Sequence, residues 1–305
     1  MQLGMIGLGK MGGNMARRLK ASGTRIVGYN KDTEATEALV ADQVLEAADS
    51  VADLVRRLAT PRKVWLMLPA GAITEATFTE LLDLLEAGDV IVDGANSWFK
   101  DSMRRADAAR ERQIKFLDAG VSGGIWGLEN GYCLMIGGAD AAFAAIEPLV
   151  RKLAPGPDTG WIHTGPAGSG HFTKMIHNGI EYGMMQAYAE GFALMKGRED
   201  FNLDLAGIAE TWRHGSVVRS WLLDLSAEVL DGDQDLDSIE PYVADSGEGR
   251  WTALEGIEQG VPTPVMSLAL MTRFASQGQQ DYSSRLLAMM RQQFGGHPTR
   301  PAADD

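Results

Sequence analysis

The chain has 305 residues, 45% of them hydrophobic and 23% charged, which is enough length for two domains and an ordinary composition for a folded protein. Its 41 acidic against 28 basic residues leave a formal net charge of −13, which argues against a nucleic-acid partner, because phosphate backbones are gripped by an excess of Lys and Arg. Cys133 is the single cysteine, no apolar run approaches the about 18 residues of a membrane span, and Met1 leads straight into a strand-like run; the expectation is a cytosolic protein with no membrane partner.

Through the first half, short apolar runs alternate with helix-patterned stretches. Strands are predicted at Leu3–Ile6, Arg25–Tyr29, Val64–Leu68, Val90–Asp93, Phe116–Asp118 and Cys133–Ile136. Helices are predicted between them at Met11–Ser22, Ile73–Glu86, Ser97–Arg112 and Ala141–Leu153. This alternation predicts an α/β domain whose mostly parallel sheet is covered on both faces. Prolines and glycines then crowd between Pro155 and Gly170, marking a junction between a first domain at 1–164 and a second at 165–305. Beyond the junction strand signals stop, and helical patterns continue to Phe294, so the second domain reads as all-α with a polar tail, His297–Asp305.

The segment Gly7-Leu8-Gly9-Lys10-Met11-Gly12 fits G-x-G-x-x-G. Among 36 glycines such a match is weak alone, but this one follows a strand candidate and opens a helix candidate, as a Rossmann-type dinucleotide-binding domain requires. Gly7 permits the tight turn, Gly9 lets backbone approach a pyrophosphate, and Gly12 allows close packing of helix on strand. An ordinary glycine turn is the plain alternative. At the end of the second strand, where an acidic residue would take the ribose hydroxyl of NAD, stand Asn30 and Lys31. Lys31 suits a 2′-phosphate while Asp32 opposes it, so the reading leans to NADP, with NAD or dual use open.

The most informative stretch is Gly170-His171-Phe172-Thr173-Lys174-Met175-Ile176-His177-Asn178-Gly179-Ile180-Glu181-Tyr182. Lys174, His177, Asn178 and Glu181 follow the spacing i, i+3, i+4, i+7 and share one face of a helix. Such stripes are normally apolar, whereas this one holds an amine, an imidazole, an amide and a carboxyl group. Phe172, Met175, Ile176 and Ile180 form the other side, expected to pack into the core. A solvent-facing, salt-bridged helix is the alternative, although those usually repeat Glu and Lys.

These residues resemble the 6-phosphogluconate dehydrogenases of the β-hydroxyacid dehydrogenase superfamily. The likeness extends through the Gly7–Gly12 loop, Asp93-Gly94-Ala95-Asn96-Ser97, Val121-Ser122-Gly123-Gly124, Gly247–Thr252, Arg273 and Arg291–His297, and the single short helical domain is similar to the family's short branch. The resemblance implies oxidative decarboxylation of 6-phosphogluconate to ribulose 5-phosphate without a metal. Lys174 would take the proton of the 3-hydroxyl as hydride leaves C3, and Glu181 would protonate C1 after carbon dioxide departs. Partial burial and a neighbouring cation would bring the lysine into a useful range for a base. The resemblance also places Leu68, Pro69, Ala70 and Asn96 with the glycine loop at the cofactor. It puts Asn96, Ser122, Gly123, Gly124, His177 and Asn178 on the substrate, with Tyr182, Arg250, Arg273, Arg291 and His297 around its phosphate. In the family the C-terminal tail completes the neighbouring subunit's site, which implies a homodimer or tetramer. Ile125-Trp126 departs from the acidic residues of many long relatives.

Other readings carry less. Gly120-Val121-Ser122-Gly123-Gly124 also fits the nucleophile elbow of hydrolases, but that elbow needs a helix immediately afterwards and Ile125–Gly131 lacks a helical pattern. The aspartates from Asp231 to Asp237 lack the glycine and glutamate of a calcium loop, and His163, His171 and His177 lack metal-site spacing. A dehydrogenase of small acids such as 3-hydroxyisobutyrate would not need Glu181 or the arginine cluster. A non-catalytic NADP-binding module would leave the polar stripe unexplained.

Overall fold

The structure is a computed structural model describing residues 1–278, 281–295 and 298. Two compact units part between Ile176 and His177. The first contains β1 (Gln2–Ile6), α1 (Lys10–Ala21), β2 (Arg25–Tyr29), α2 (Thr33–Ala41), β3 (Glu46–Ala47), α3 (Val51–Arg56), β4 (Lys63–Leu66), α4 (Ala72–Leu84), β5 (Val90–Asp93) and α5 (Phe99–Glu111). It continues through β6 (Lys115–Ser122), α6 (Gly127–Asn130), β7 (Cys133–Gly138), α7 (Asp140–Leu153) and β8 (Trp161–Gly165) to the start of α8 (Ser169–Lys196). The eight strands form one sheet in the order β3-β2-β1-β4-β5-β6-β7-β8. Every neighbouring pair is parallel except β6–β7.

Alternation along the strands builds the two faces of this sheet. Leu3, Met5, Trp65, Val90, Val92, Leu117 and Ala119 share a core with Met15 and Leu19 of α1 and Phe143, Ile146 and Leu149 of α7. Ile6, Val64, Leu66, Ile91 and Phe116 point the other way, onto Leu54 of α3, Phe78 and Leu81 of α4 and Ala109 of α5. The mostly parallel, doubly covered α/β sheet expected from the sequence is therefore present.

Four elements were not expected. Asp32 caps α2 by accepting from the Glu34 amide, and Ser50 caps α3 by accepting from the Asp53 amide. Side-chain capping thus starts two helices whose apolar periodicity is weak. β3 has only two residues. The fourth element, β8, lies inside the glycine-rich stretch and pairs in parallel with β7 across an irregularity at Ile136/Gly137. β6 is also longer than expected, running on to Ser122. A 3₁₀ turn at Gly124–Trp126 and the four-residue α6 follow it, where no helical structure was expected. These pieces lead into an antiparallel strand and do not supply the long helix of a nucleophile elbow.

The second unit is helical, as expected: the rest of α8, α9 (Leu205–Arg213), α10 (Trp221–Gly232), α11 (Glu248–Gln259), α12 (Pro264–Ser276) and α13 (Asp281–Gly295). One small core gathers Leu205, Ala209, Leu223, Ala227 and Leu230 with Tyr188 and Phe192; another gathers Tyr182, Ala269 and Leu270 with Phe274. Among the described residues no helix is long and apolar enough to cross a membrane.

A buried ion pair secures the loop after β5. Asp93 accepts from the Ala95 amide at 3.1 Å, from Ser97 Oγ at 3.0 Å and from Arg105 Nη1 at 2.7 Å. The other side of the Arg105 guanidinium reaches Glu75 at 2.9 Å, and Arg104 grips the same carboxylate through two bonds of 2.7 Å. The bond from Arg104 chiefly, with Arg105 behind it, lowers Glu75 from 4.5 to about 2. A depressed carboxylate stabilises the fold fully above its unfolded value, and that contribution disappears as pH falls through the folded value. Glu75→Gln should therefore lower the thermal midpoint at pH 7, with the gap from wild type closing as pH drops from 4.5 toward 2. Melting curves across that range check it.

Candidate active site

A cavity of about 510 Å³ opens at the carboxyl ends of the first unit's strands, lined by Gly7, Gly9, Lys10, Met11, Gly12, Asn30, Met67, Leu68, Pro69, Gly94, Ala95, Asn96 and Val121. It lies where the strand order turns from β1 to β4, the crevice in which open α/β sheets hold their ligands. Gly7 has φ +91°, and a Cβ there would meet the Met67 carbonyl at 2.3 Å. A Cβ on Gly12 would lie 2.0 Å from the Gly7 carbonyl, whereas one on Gly9 meets nothing within 4 Å. The turn is thus closed where helix meets strand and open where backbone faces the cavity. Gly9 is the N-cap of α1 and contributes no side-chain bond, so the first-turn amides face an open cradle suited to a pyrophosphate.

Leu8 is buried, and its amide donates to Asn30 Oδ1 at 3.1 Å while Asn30 Nδ2 donates to the Asp32 carbonyl at 2.9 Å. Asn30 therefore ties the end of β2 to the glycine loop. Lys31 and Asp32 are exposed beside it. Leu8, Lys31 and Ala70 lie outside the lining set, which instead includes Lys10, Met67, Gly94, Ala95 and Val121. Lys10 and the Gly94-Ala95 pair sit inside motifs already singled out; Met67 has no signal beyond its place at the end of a predicted strand.

On α8, Lys174 and Asn178 are buried at 7% and 8% exposure, while Ile180 is 51% exposed. The polar stripe is thus covered only in part, since the His177 and Glu181 side chains keep 39% exposure, and of the apolar residues opposite Met175 is buried while Ile180 is not. Lys174 approaches β6, where a Cβ on Gly120 would sit 2.4 Å from the lysine Cβ. Val121, the next residue, is in the cavity wall. Ser122, Gly123 and Gly124 follow directly, with the two glycines at φ +128° and +53°, and Ile125 and Trp126 are exposed beyond them. In the second unit His177 Nδ1 lies 3.0 Å from Asn178 Oδ1 and 3.8 Å from Glu181 Oε2, so the three side chains orient one another.

The same unit gathers the expected Tyr182, Arg250 and Arg273 around the loop at 244–248. The Arg273 guanidinium stacks 3.5 Å from the Tyr182 ring centre and donates to the Ala244 carbonyl at 3.0 Å. Tyr182 Oη lies 3.2 Å from Ser246 Oγ, which donates to Glu248 at 2.6 Å. Arg250 pairs with Asp245 and stacks 4.4 Å from the Phe274 ring centre. Asp245 and Ser246 escaped the sequence reading, since nothing in their spacing marks them, whereas Glu248 sits inside the Gly247–Thr252 segment already singled out. Arg291 is exposed on α13, and His297 lies outside the described residues.

Comparison with known proteins is consistent across both halves. Residues 2–165 match the NAD binding domain of 6-phosphogluconate dehydrogenase, and residues 170–299 match the 6-phosphogluconate dehydrogenase C-terminal domain. The chain belongs to the 6-phosphogluconate dehydrogenase family. A Haloferax volcanii relative, an NAD(+)-dependent decarboxylating 6-phosphogluconate dehydrogenase, is 45% identical over 97% of this chain and 98% of its own. A putative 6-phosphogluconate dehydrogenase of Bacillus subtilis is 40% identical over 98% and 99%. The solved 6-phosphogluconate dehydrogenase of Plasmodium falciparum matches with TM-score 0.84 and 30% identity, covering 100% of this chain and 67% of that one. The chain spans nearly the whole length of the first two relatives and about two thirds of the Plasmodium falciparum enzyme.

In this dehydrogenase the Gly12 contact offers a direct check on the cradle. Gly12→Ala should weaken NAD binding at least about tenfold, roughly 1.4 kcal/mol, because a Cβ 2.0 Å from a carbonyl forces helix and loop apart. Fluorescence titration with NAD measures it.

Proposed function

We propose that Lys174 is the general base and Glu181 the general acid of this family's reaction, the oxidative decarboxylation of 6-phosphogluconate. The chain is a decarboxylating 6-phosphogluconate dehydrogenase that uses NAD or NADP. The observation that carries the residue assignment is Lys174, buried at 7% exposure, with its stem against Gly120, next to a residue of the cofactor cavity's wall. Its place beside the strand end that enters the cavity wall sets the amine where a general base must reach the substrate.

The nicotinamide, when bound in the glycine-loop cavity with Asn96, Leu68 and Pro69 in its wall, supplies the hydride acceptor. Lys174 Nζ accepts the proton of the substrate's 3-hydroxyl as that carbon is oxidised. The resulting 3-keto acid loses carbon dioxide, because its carbonyl holds the electron pair of the broken bond. Glu181 then delivers a proton to C1 of the enediol. His177, 3.8 Å from the Glu181 carboxylate, and Asn178 hold the sugar's hydroxyls, and Ser122, Gly123 and Gly124 offer a hydroxyl and amides to the carboxylate of the substrate. Tyr182, Arg250 and Arg273 face the phosphate, with Asp245 and Glu248 tempering the positive charge there. Asp32 at the end of β2 opposes a 2′-phosphate and Lys31 favours one, so use of both cofactors fits this pair. A reducing, cytosolic setting belongs to the same reading, supported by the single cysteine.

The reading includes a homo-oligomer in which Arg291 and His297 complete the neighbouring subunit's site. Its support is the apolar surface of the second unit: Ile180, Val265, Leu268 and Met271 are all more than half exposed, and contiguous exposed apolar surface marks interfaces.

Two measurements test these roles. Lys174→Met should lower kcat by roughly a hundred- to ten-thousand-fold and leave NAD affinity within twofold of wild type; a variant turning over at the wild-type rate would refute the assignment. Mixing Lys174→Met with Arg291→Ala after subunit exchange should recover roughly a quarter of wild-type activity if chains pair at random into dimers. No recovery would mean that each chain builds its site alone.

A further inference from the structure

α8 begins in an unusual setting. Asp118 of β6 is fully buried, and its carboxylate accepts from two backbone amides at the start of that helix, Gly168 N at 2.6 Å and His171 N at 2.8 Å. Charge-assisted bonds of this kind are short and strong, and a carboxylate at a helix N-terminus also meets the positive end of the dipole. The approach is tight on every side. A Cβ on Gly170 would lie 2.5 Å from the Met135 carbonyl and 2.6 Å from that of Asp118, and one on Gly137 would lie 2.6 Å from Asp118 Oδ1. His171 adds a second tie, its Nδ1 lying 2.7 Å from Ser102 Oγ of α5.

Period-two alternation puts Phe116, Asp118, Gly120 and Ser122 on one face of β6. Phe116 serves the core shared with α5. Asp118 holds the first turn of α8. Gly120 clears the way for Lys174, since a side chain there would meet the lysine Cβ at 2.4 Å and the Gly170 carbonyl at 2.9 Å. Ser122 opens the Ser-Gly-Gly segment. One strand face thus carries, in order, the clamp, the clearance and the start of the loop beside the lysine.

We propose that Asp118 and Gly120 are positioning residues of the reaction: Asp118 fixes the axial place of α8 and Gly120 its distance from β6, and together they set where the Lys174 amine sits. Neither lines the cofactor cavity. This rests on the reading of Lys174 as the base. Loss of the clamp lets the first turn shift, and a misplacement of about 1 Å can cost roughly a hundredfold in rate. The lysine's task as a base is performed in the transition state, so the cost falls on kcat and not on binding.

The test compares Asp118→Ala, Asp118→Asn and Gly120→Ala with wild type and Lys174→Met, measuring kcat, KM for 6-phosphogluconate, NAD affinity and thermal midpoint. Asp118→Ala and Gly120→Ala are each expected to lose roughly a hundredfold in kcat, with KM and NAD affinity within twofold of wild type. Asp118→Asn, isosteric and keeping one acceptor, should recover part of the loss, and it carries the clamp test if the alanine variant does not fold. Wild-type kcat in Asp118→Asn and Gly120→Ala, or a loss expressed as weakened NAD binding, overturns the proposal. The reading beneath it fails separately: it falls if Lys174→Met itself turns over, whatever the other variants do.

Discussion

The first turn of α8 lies directly on the backbone of β6 and β7, because Gly120, Gly137 and Gly170 leave no side chain between them. Much of the chemistry of the first unit follows from that contact. A helix spaced by side chains would sit farther away and carry Lys174 out of reach of the strand end where Val121 enters the cavity wall. The contact also explains why a lysine is buried at all. Its stem packs against a glycine, and the Asp118 carboxylate ties down the start of the helix through the amides of Gly168, just before it, and His171, in its first turn.

The other half of the unit solves a similar problem with charge. The loop carrying Asn96 bends sharply after β5, and its polar groups are satisfied by a buried aspartate–arginine pair that reaches Glu75 of α4. Breaking a buried pair by removing one member typically costs about 3–5 kcal/mol, so this loop is held as firmly as the sheet. An acidic chain also has to bind an anionic sugar phosphate. In our reading it does so by gathering Arg250 and Arg273 locally, against Phe274 and Tyr182, where aromatic faces hold the guanidinium planes without cancelling their charge.

Much of the fold was legible from period and punctuation. The glycine loop, six of the eight strands and the long helices announce themselves through alternation and through the glycines at their ends. What escaped did so for physical reasons. Helices α2 and α3 start from side-chain caps on Asp32 and Ser50 more than from apolar stripes, although Ser50-x-x-Asp53 was a visible capping signal. β8 is hidden among glycines and owes its state to pairing with β7, a long-range effect no local pattern carries. For the candidate site, chemical type and helical spacing pointed to Lys174, Asn178 and Glu181. The spacing did not say what covers Lys174, because its burial depends on the absence of a side chain at Gly120, more than fifty residues upstream. Asp118 shows the same blindness: as a lone aspartate in a strand it has no sequence signature, and only the folded register brings it to a helix terminus.

In our reading the Lys174 amine meets the hydroxyl that is oxidised, and the Glu181 carboxyl meets the carbon left after decarboxylation. A crystal structure with NADH and 6-phosphogluconate bound tests it most directly. The expected result is Lys174 Nζ within about 3.2 Å of the 3-hydroxyl, with Glu181 on the side of C1. A substrate seated with its 3-hydroxyl away from Lys174, or with Glu181 turned from C1, would contradict it.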